Sequence, residues 1–142
     1  MADNDNIPLS MQRHRAGLHS VGSYQVSGRP WLTSSLLNAN TTLTCSFPSV
    51  SKRITIYNTG SSPVRISFAD TSAEAYEADR AHWFEIPVAS AGAMATYTFD
   101  VKCARVYISE ADGDQTGVSV YASLTGIHSS SMFPLLGPGL DD

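Results

Sequence analysis

Residues 52–70, KRITIYNTGSSPVRISFAD, leave a chain of this kind few ways to fold. Ile54 and Ile56 alternate with Thr55 and Tyr57. The tract NTGSSP at 58–63 breaks the pattern, and Val64, Ile66 and Phe68 resume it against Arg65, Ser67 and Ala69. Period-two alternation on both sides of a Gly/Ser/Pro break predicts two strands sharing one buried face, joined as an antiparallel hairpin. A slip of one residue would turn Ile54, Ile56, Val64, Ile66 and Phe68 to water, so the register is strongly specified. Nothing in the stretch carries chemistry, which points to a scaffold or binding protein rather than an enzyme.

The same alternation recurs along the chain. Strands are expected at 22–27 (Tyr24 and Val26 on one face), 31–37, 41–47 (Leu43, Cys45 and Phe47), 82–88, 94–100, 101–109 and 118–127 (Val118, Val120, Ala122 and Leu124). Breaks fall at Gly28, Arg29 and Pro30, at 38–40, at 89–92 and in the acidic segment EADGDQTG at 110–117. Helix competes in one place, 71–80, where Ala73, Glu74, Ala75, Glu77 and Ala78 have good helix propensity; a loop with a short helix is expected there. Eight or nine short strands with regular turn signals predict an all-β fold, an eight-stranded antiparallel β-sandwich of the single jelly-roll kind. An immunoglobulin-like sandwich is the competitor, but its Cys-Trp-Cys spacing is absent. Residues 21–127 form the expected domain. Residues 1–20 and 128–142 read as extended N- and C-terminal arms.

Composition narrows the function classes. A chain of 142 residues can bury a real core as one domain. Its net charge is −4 with nine Lys and Arg, of which only Lys52 and Arg53 are neighbours, so no direct nucleic-acid surface is expected. Arg13, His14 and Arg15 make a small basic patch in the N-terminal arm. No apolar run approaches the ~20 residues of a membrane span. The opening MADNDNIPLS lacks the apolar core of a signal peptide, so cytoplasmic synthesis is expected. Cys45 and Cys103 then read as two buried thiols.

No chemical motif stands out. Glu110, Asp112, Gly113 and Asp114 resemble a fragment of a calcium loop, but the downstream glutamate and flanking helices are missing. His14, His19, His82 and His128 have no metal-ligand spacing. There is no GxSxG elbow, GxGxxG or P-loop. Catalysis, metals and cofactors are therefore not expected. The residues expected at an interface are Arg13, Arg15, Trp31, Arg65, Met132, Phe133, Leu135 and Leu136. Met132, Phe133, Pro134, Leu135 and Leu136 form an apolar patch that would be costly to expose in a monomer.

GSYQVSGRPWLT at 22–33, KRITIYNTGSSPVRISF at 52–68 and VSVYASLTGI at 118–127 resemble the single jelly-roll capsid proteins of large double-stranded DNA viruses, most of all their penton proteins. The resemblance implies a structural virion protein at the fivefold vertex. It implies a homopentamer, contacts to major and minor capsid proteins, and neither catalytic residues nor a cofactor. A ring of that kind would use two different patches of each subunit. The alternatives from the residues themselves are a minor or decoration protein of such a shell, and a carbohydrate-binding module with Trp31, Trp83 and the tyrosines as stacking platforms. A small β-sandwich hydrolase or a TNF-like ligand is the remaining alternative.

Overall fold

The computed structural model describes residues 17–18, 29–69, 82–89, 95–110 and 112–140. Eight strands follow in order: β1 (Pro30–Leu37), β2 (Thr42–Ser46), β3 (Ser49–Asn58), β4 (Val64–Ser67), β5 (Phe84–Ile86), β6 (Ala95–Phe99), β7 (Arg105–Glu110) and β8 (Thr116–His128). They form two four-stranded sheets, the first in the order β1-β8-β3-β6 and the second β2-β7-β4-β5. Every pairing is antiparallel. The chain changes sheet at each connection except β4 to β5, which gives the eight-stranded jelly roll expected from the strand count.

The stretch 52–70 folds differently from its first reading. β3 and β4 do not pair: β3 lies between β8 and β6, and β4 lies between β7 and β5 in the other sheet. The expected buried set is nevertheless correct, with Ile54, Ile56, Val64 and Ile66 at no more than 1% exposure. Phe68 is half-buried and packs edge-on against Phe99. A crossover between stacked sheets and a hairpin within one sheet bury the same alternate residues, so periodicity cannot separate them.

The crossover is held by buried polar contacts. Asn58 Nδ2 donates to the carbonyls of Ser62 at 2.8 Å and Pro87 at 2.9 Å. Its Oδ1 accepts from Gly60 N at 3.0 Å and Thr116 Oγ1 at 3.1 Å. One asparagine thus joins the corner after β3 to the end of β5 and the start of β8.

The core lies between the sheets and is built from Ile54, Ile56, Ile66, Ile86, Val106 and Ile108 with their neighbours. Each such side chain contributes roughly 1.5–3 kcal/mol when fully buried. Cys45 and Cys103 belong to this core as unpaired thiols. Burial pushes the Cys45 thiol up to about 12. Burial also raises Cys103, to about 11, partly offset by hydrogen bonds from Ser51 and the Arg105 backbone. Between the edge strands β5 and β6, the rings of Phe68, Phe84, Tyr97 and Phe99 close the seam with centroids 4.5–5.5 Å apart.

The other expected strands are present with ends moved by a few residues. The strand at 22–27, the helix at 71–80 and the arm up to residue 16 lie outside the described residues.

Candidate functional site

The outer faces of the two sheets differ. On the second sheet the outward positions Ser67, Tyr107 and Ser109 are only 4%, 8% and 0% exposed. On the first sheet Leu32, Leu36 and Tyr121 face water, Leu32 at 67%. Other outward positions of the second sheet, Thr44, Ser46, Glu85 and Arg105, are exposed but polar or charged, whereas the first sheet exposes apolar and aromatic side chains, and its register defines how they stand.

Leu32 on β1 is opposite Tyr121 on β8, Tyr121 is opposite Thr55 on β3, and Thr55 is opposite Thr98 on β6. The next outward row is Ser34, Ser119, Tyr57 and Thr96. Tyr57 and Tyr121 are thus diagonal neighbours on adjacent strands, a spacing within reach of aromatic side chains. Between them runs a shallow groove of about 420 Å³, lined by Leu32, Thr33, Ser34, Tyr57, Ser119, Val120 and Tyr121. Hydroxyls border the rings. Ser34 and Ser119 share a hydrogen bond of 2.9 Å, Thr55 and Thr98 one of 3.0 Å, and Ser123 Oγ donates to the Tyr121 hydroxyl at 3.2 Å.

Apolar ring faces beside rows of hydroxyl donors and acceptors suit a ligand that is itself part apolar and part hydroxylated. A sugar ring has that character, with C–H groups on its faces and hydroxyls around its rim. Among the described residues no group of three His, Cys, Asp or Glu side chains stands together.

The residues singled out from sequence fall elsewhere. Trp31 is half-buried, packed edge-on against Phe47 at 5.1 Å, so it is not an open platform. Arg65 lies over the Trp83 ring at 4.1 Å, which engages that tryptophan too. In the segment after the 3-10 turn Ser129–Ser131, Leu135 packs against the core and Met132 is half-buried, while Phe133 and Leu136 remain more than half exposed. These four sit apart from the groove and line a separate cavity with Phe68, Cys103 and Tyr107. Arg13 and Arg15 lie outside the described residues.

The acidic segment is a structural joint. Glu110 is fully buried and accepts from Asn40 N, Ser62 Oγ, Asp112 N and Gly113 N at 2.6–3.2 Å. Burial acts to raise its carboxyl, but these four hydrogen bonds outweigh it and hold the group below the usual carboxylate range.

Leu32 was missed by sequence reasoning, and Tyr121 entered it only as one of the tyrosines offered as stacking platforms. The signal was available for Tyr121, which holds an outward position in a strand whose other parity is apolar, but not for Leu32, since the other parity of β1 carries Thr33 and Ser35.

No family model and no curated protein matches the sequence. Among solved structures a mutant of CBM29-2, a family 29 carbohydrate-binding module, matches with a TM-score of 0.32 and 13% identity. That match covers 77% of this chain and 100% of the other. A likeness so distant does not identify the chain. The expected resemblance to penton proteins is corrected by these comparisons, which return a carbohydrate-binding module and no capsid protein. The phrases that carried it, at 22–33, 52–68 and 118–127, are strand sequence rich in core residues. They report a sandwich, and a sandwich hosts many functions. The vertex position and the capsid partners lose their basis with it.

Proposed function

We propose that this chain is a non-catalytic, sugar-binding β-sandwich module whose site is the outer face of the first sheet. The observation that carries the reading is the pair Tyr57 and Tyr121. They flank an open groove bordered by Ser34, Ser119 and Ser123, on the sheet whose outer face exposes Leu32, Leu36 and Tyr121. Tyrosine gives an amphipathic contact, and the pleated outer surface lets a chain of sugars lie along it. A groove this shallow leaves much of a ligand in water, which fits dissociation constants of about 0.1 mM or weaker.

Affinity electrophoresis through gels containing soluble polysaccharides tests the reading. Retardation is expected in at least one gel and is lost when Tyr57 and Tyr121 are both changed to Ala. Free migration through every polysaccharide gel, by protein that still melts cooperatively, would contradict it.

A further inference from the structure

The tyrosine face does not end at Tyr121. Its hydroxyl accepts from Ser123, and Ser123 is opposite Arg53 on β3. The outward line Tyr57, Tyr121, Ser123, Arg53 therefore continues from the groove to the far end of the sheet. Tyr57 to Arg53 is about 13 Å along the strand, room for a short oligosaccharide.

At that end the strand departs from simple alternation. The pairing of β3 with β8 slips between Ser49 and Ser51 and again between Ser51 and Arg53. As a result Val50 and Ser51 are both buried, and Lys52 and Arg53 are both exposed. A bulge re-aims side chains in this way and makes two consecutive residues available on the surface. Ser51 fixes it: its Oγ donates to Val101 O at 2.8 Å and accepts from Cys103 N at 3.2 Å. Those contacts bring Lys102 beside the bulge, and Lys52, Arg53, Asp100, Val101 and Lys102 line one concave corner. Among the described residues its lining carries three cations and one carboxylate, in a chain whose net charge is −4.

The acidic residues Asp112 and Asp114 lie before β8, whose first residue Thr116 is about 23 Å along the strand from Ser123. Arg53 is bound to Asp100 through Nε alone, at 2.6 Å, and no described hydrogen bond occupies its two terminal nitrogens. A guanidinium held by Nε presents those nitrogens in a fixed fork suited to a carboxylate or sulfate.

We infer that the ligand is an acidic glycan, its sugar rings on Tyr57 and Tyr121 and a carboxylate or sulfate ester at Lys52 and Arg53. The inference rests on the sugar-binding reading above and adds the charge of the ligand.

The test uses two pairs of polymers, each sharing a backbone and differing in charge: polygalacturonate against its methyl ester, and dextran sulfate against dextran. At least one acidic member should bind about tenfold more tightly than its neutral counterpart in low salt, and the difference should shrink at about 1 M salt, where the screening length falls to about 3 Å. Lys52→Gln with Arg53→Gln should abolish the preference while leaving the melting temperature unchanged. Tyr57→Ala with Tyr121→Ala should weaken binding of the acidic polymer. Equal binding of both members of each pair would overturn the inference and leave the sugar-binding reading in place. Acidic binding that ignores the tyrosine changes would mean general charge adhesion, and would overturn it too. No binding to these polymers or to any neutral glycan would overturn both.

Discussion

Ser62 Oγ donates to Glu110 Oε1 at 3.1 Å, tying the crossover after β3 to the turn after β7. The two residues are 48 positions apart and close the same end of the sandwich. Glu110 gathers four donors from three separate segments, so its carboxylate takes the place of a longer run of backbone pairing.

The pH dependence of stability follows from that carboxylate. The folded value of Glu110 lies below its unfolded value. Its contribution is therefore complete above the ordinary carboxylate range, about 4.3, and is lost as pH falls through the lower folded value. Urea midpoints should decline from pH 5 downward, and Glu110→Gln should flatten that decline. Glu110→Ala should cost about 2–3 kcal/mol at pH 7, because it strands several donors at once. An unchanged acid limb in the glutamine variant would remove Glu110 from this role.

Gly60 allows β3 to turn closely against β8. A Cβ there would strike Thr116 and come within 2.5 Å of Gly117 N. Backbone cannot yield as a flexible side-chain end can, so Gly60→Ala should destabilise by about 2 kcal/mol. Gly126, with no atom near its added Cβ, is the matched control. Thermal melts of the two variants should separate clearly, with Gly126→Ala close to the parent.

Ile56 is fully buried between the sheets. Ile56→Ala should cost about 3 kcal/mol through lost burial and a cavity. Ile56→Asp should leave no folded protein near pH 7, since an unpaired buried charge costs a large part of a domain's stability of roughly 5–15 kcal/mol. Circular dichroism and urea titration read both. A folded Ile56→Asp variant would contradict the sandwich core described above.

Cys45 and Cys103 should be nearly inert to a thiol reagent in the folded protein. Their values of about 12 and about 11 leave almost no thiolate at pH 8, and both are buried. Two thiols should react promptly once urea unfolds the chain. Rapid labelling of either in native buffer would show that the core opens locally.

Much of this fold was legible because alternation is a direct consequence of burying one face of a strand. Ile54, Ile56, Val64 and Ile66, and Val118, Val120, Ala122 and Leu124, were readable as core before any partner was known. Which strands pair was not readable. The corner at 58–63 becomes a crossover through Asn58, whose partners Pro87 and Thr116 are distant in sequence. The bulge at 49–53 was hidden for a similar reason, since its cause is the contact of Ser51 with Val101 and Cys103. The site was half visible. The tyrosines and tryptophans were read together as possible platforms, and the tryptophans are in fact engaged by Phe47 and Arg65. The diagonal pairing of Tyr57 with Tyr121 depends on the β3–β8 register, which no single strand carries.

The most direct measurement is calorimetric titration of soluble polysaccharides and their oligosaccharides into the parent protein and into the Tyr57→Ala and Tyr121→Ala variants. The account predicts heat of binding for at least one glycan. It also predicts a loss of about tenfold or more in affinity for each variant, equivalent to about 1.4 kcal/mol, at unchanged melting temperature. Binding that survives both substitutions, or no binding by the well-folded parent across neutral and acidic glycans, would contradict it.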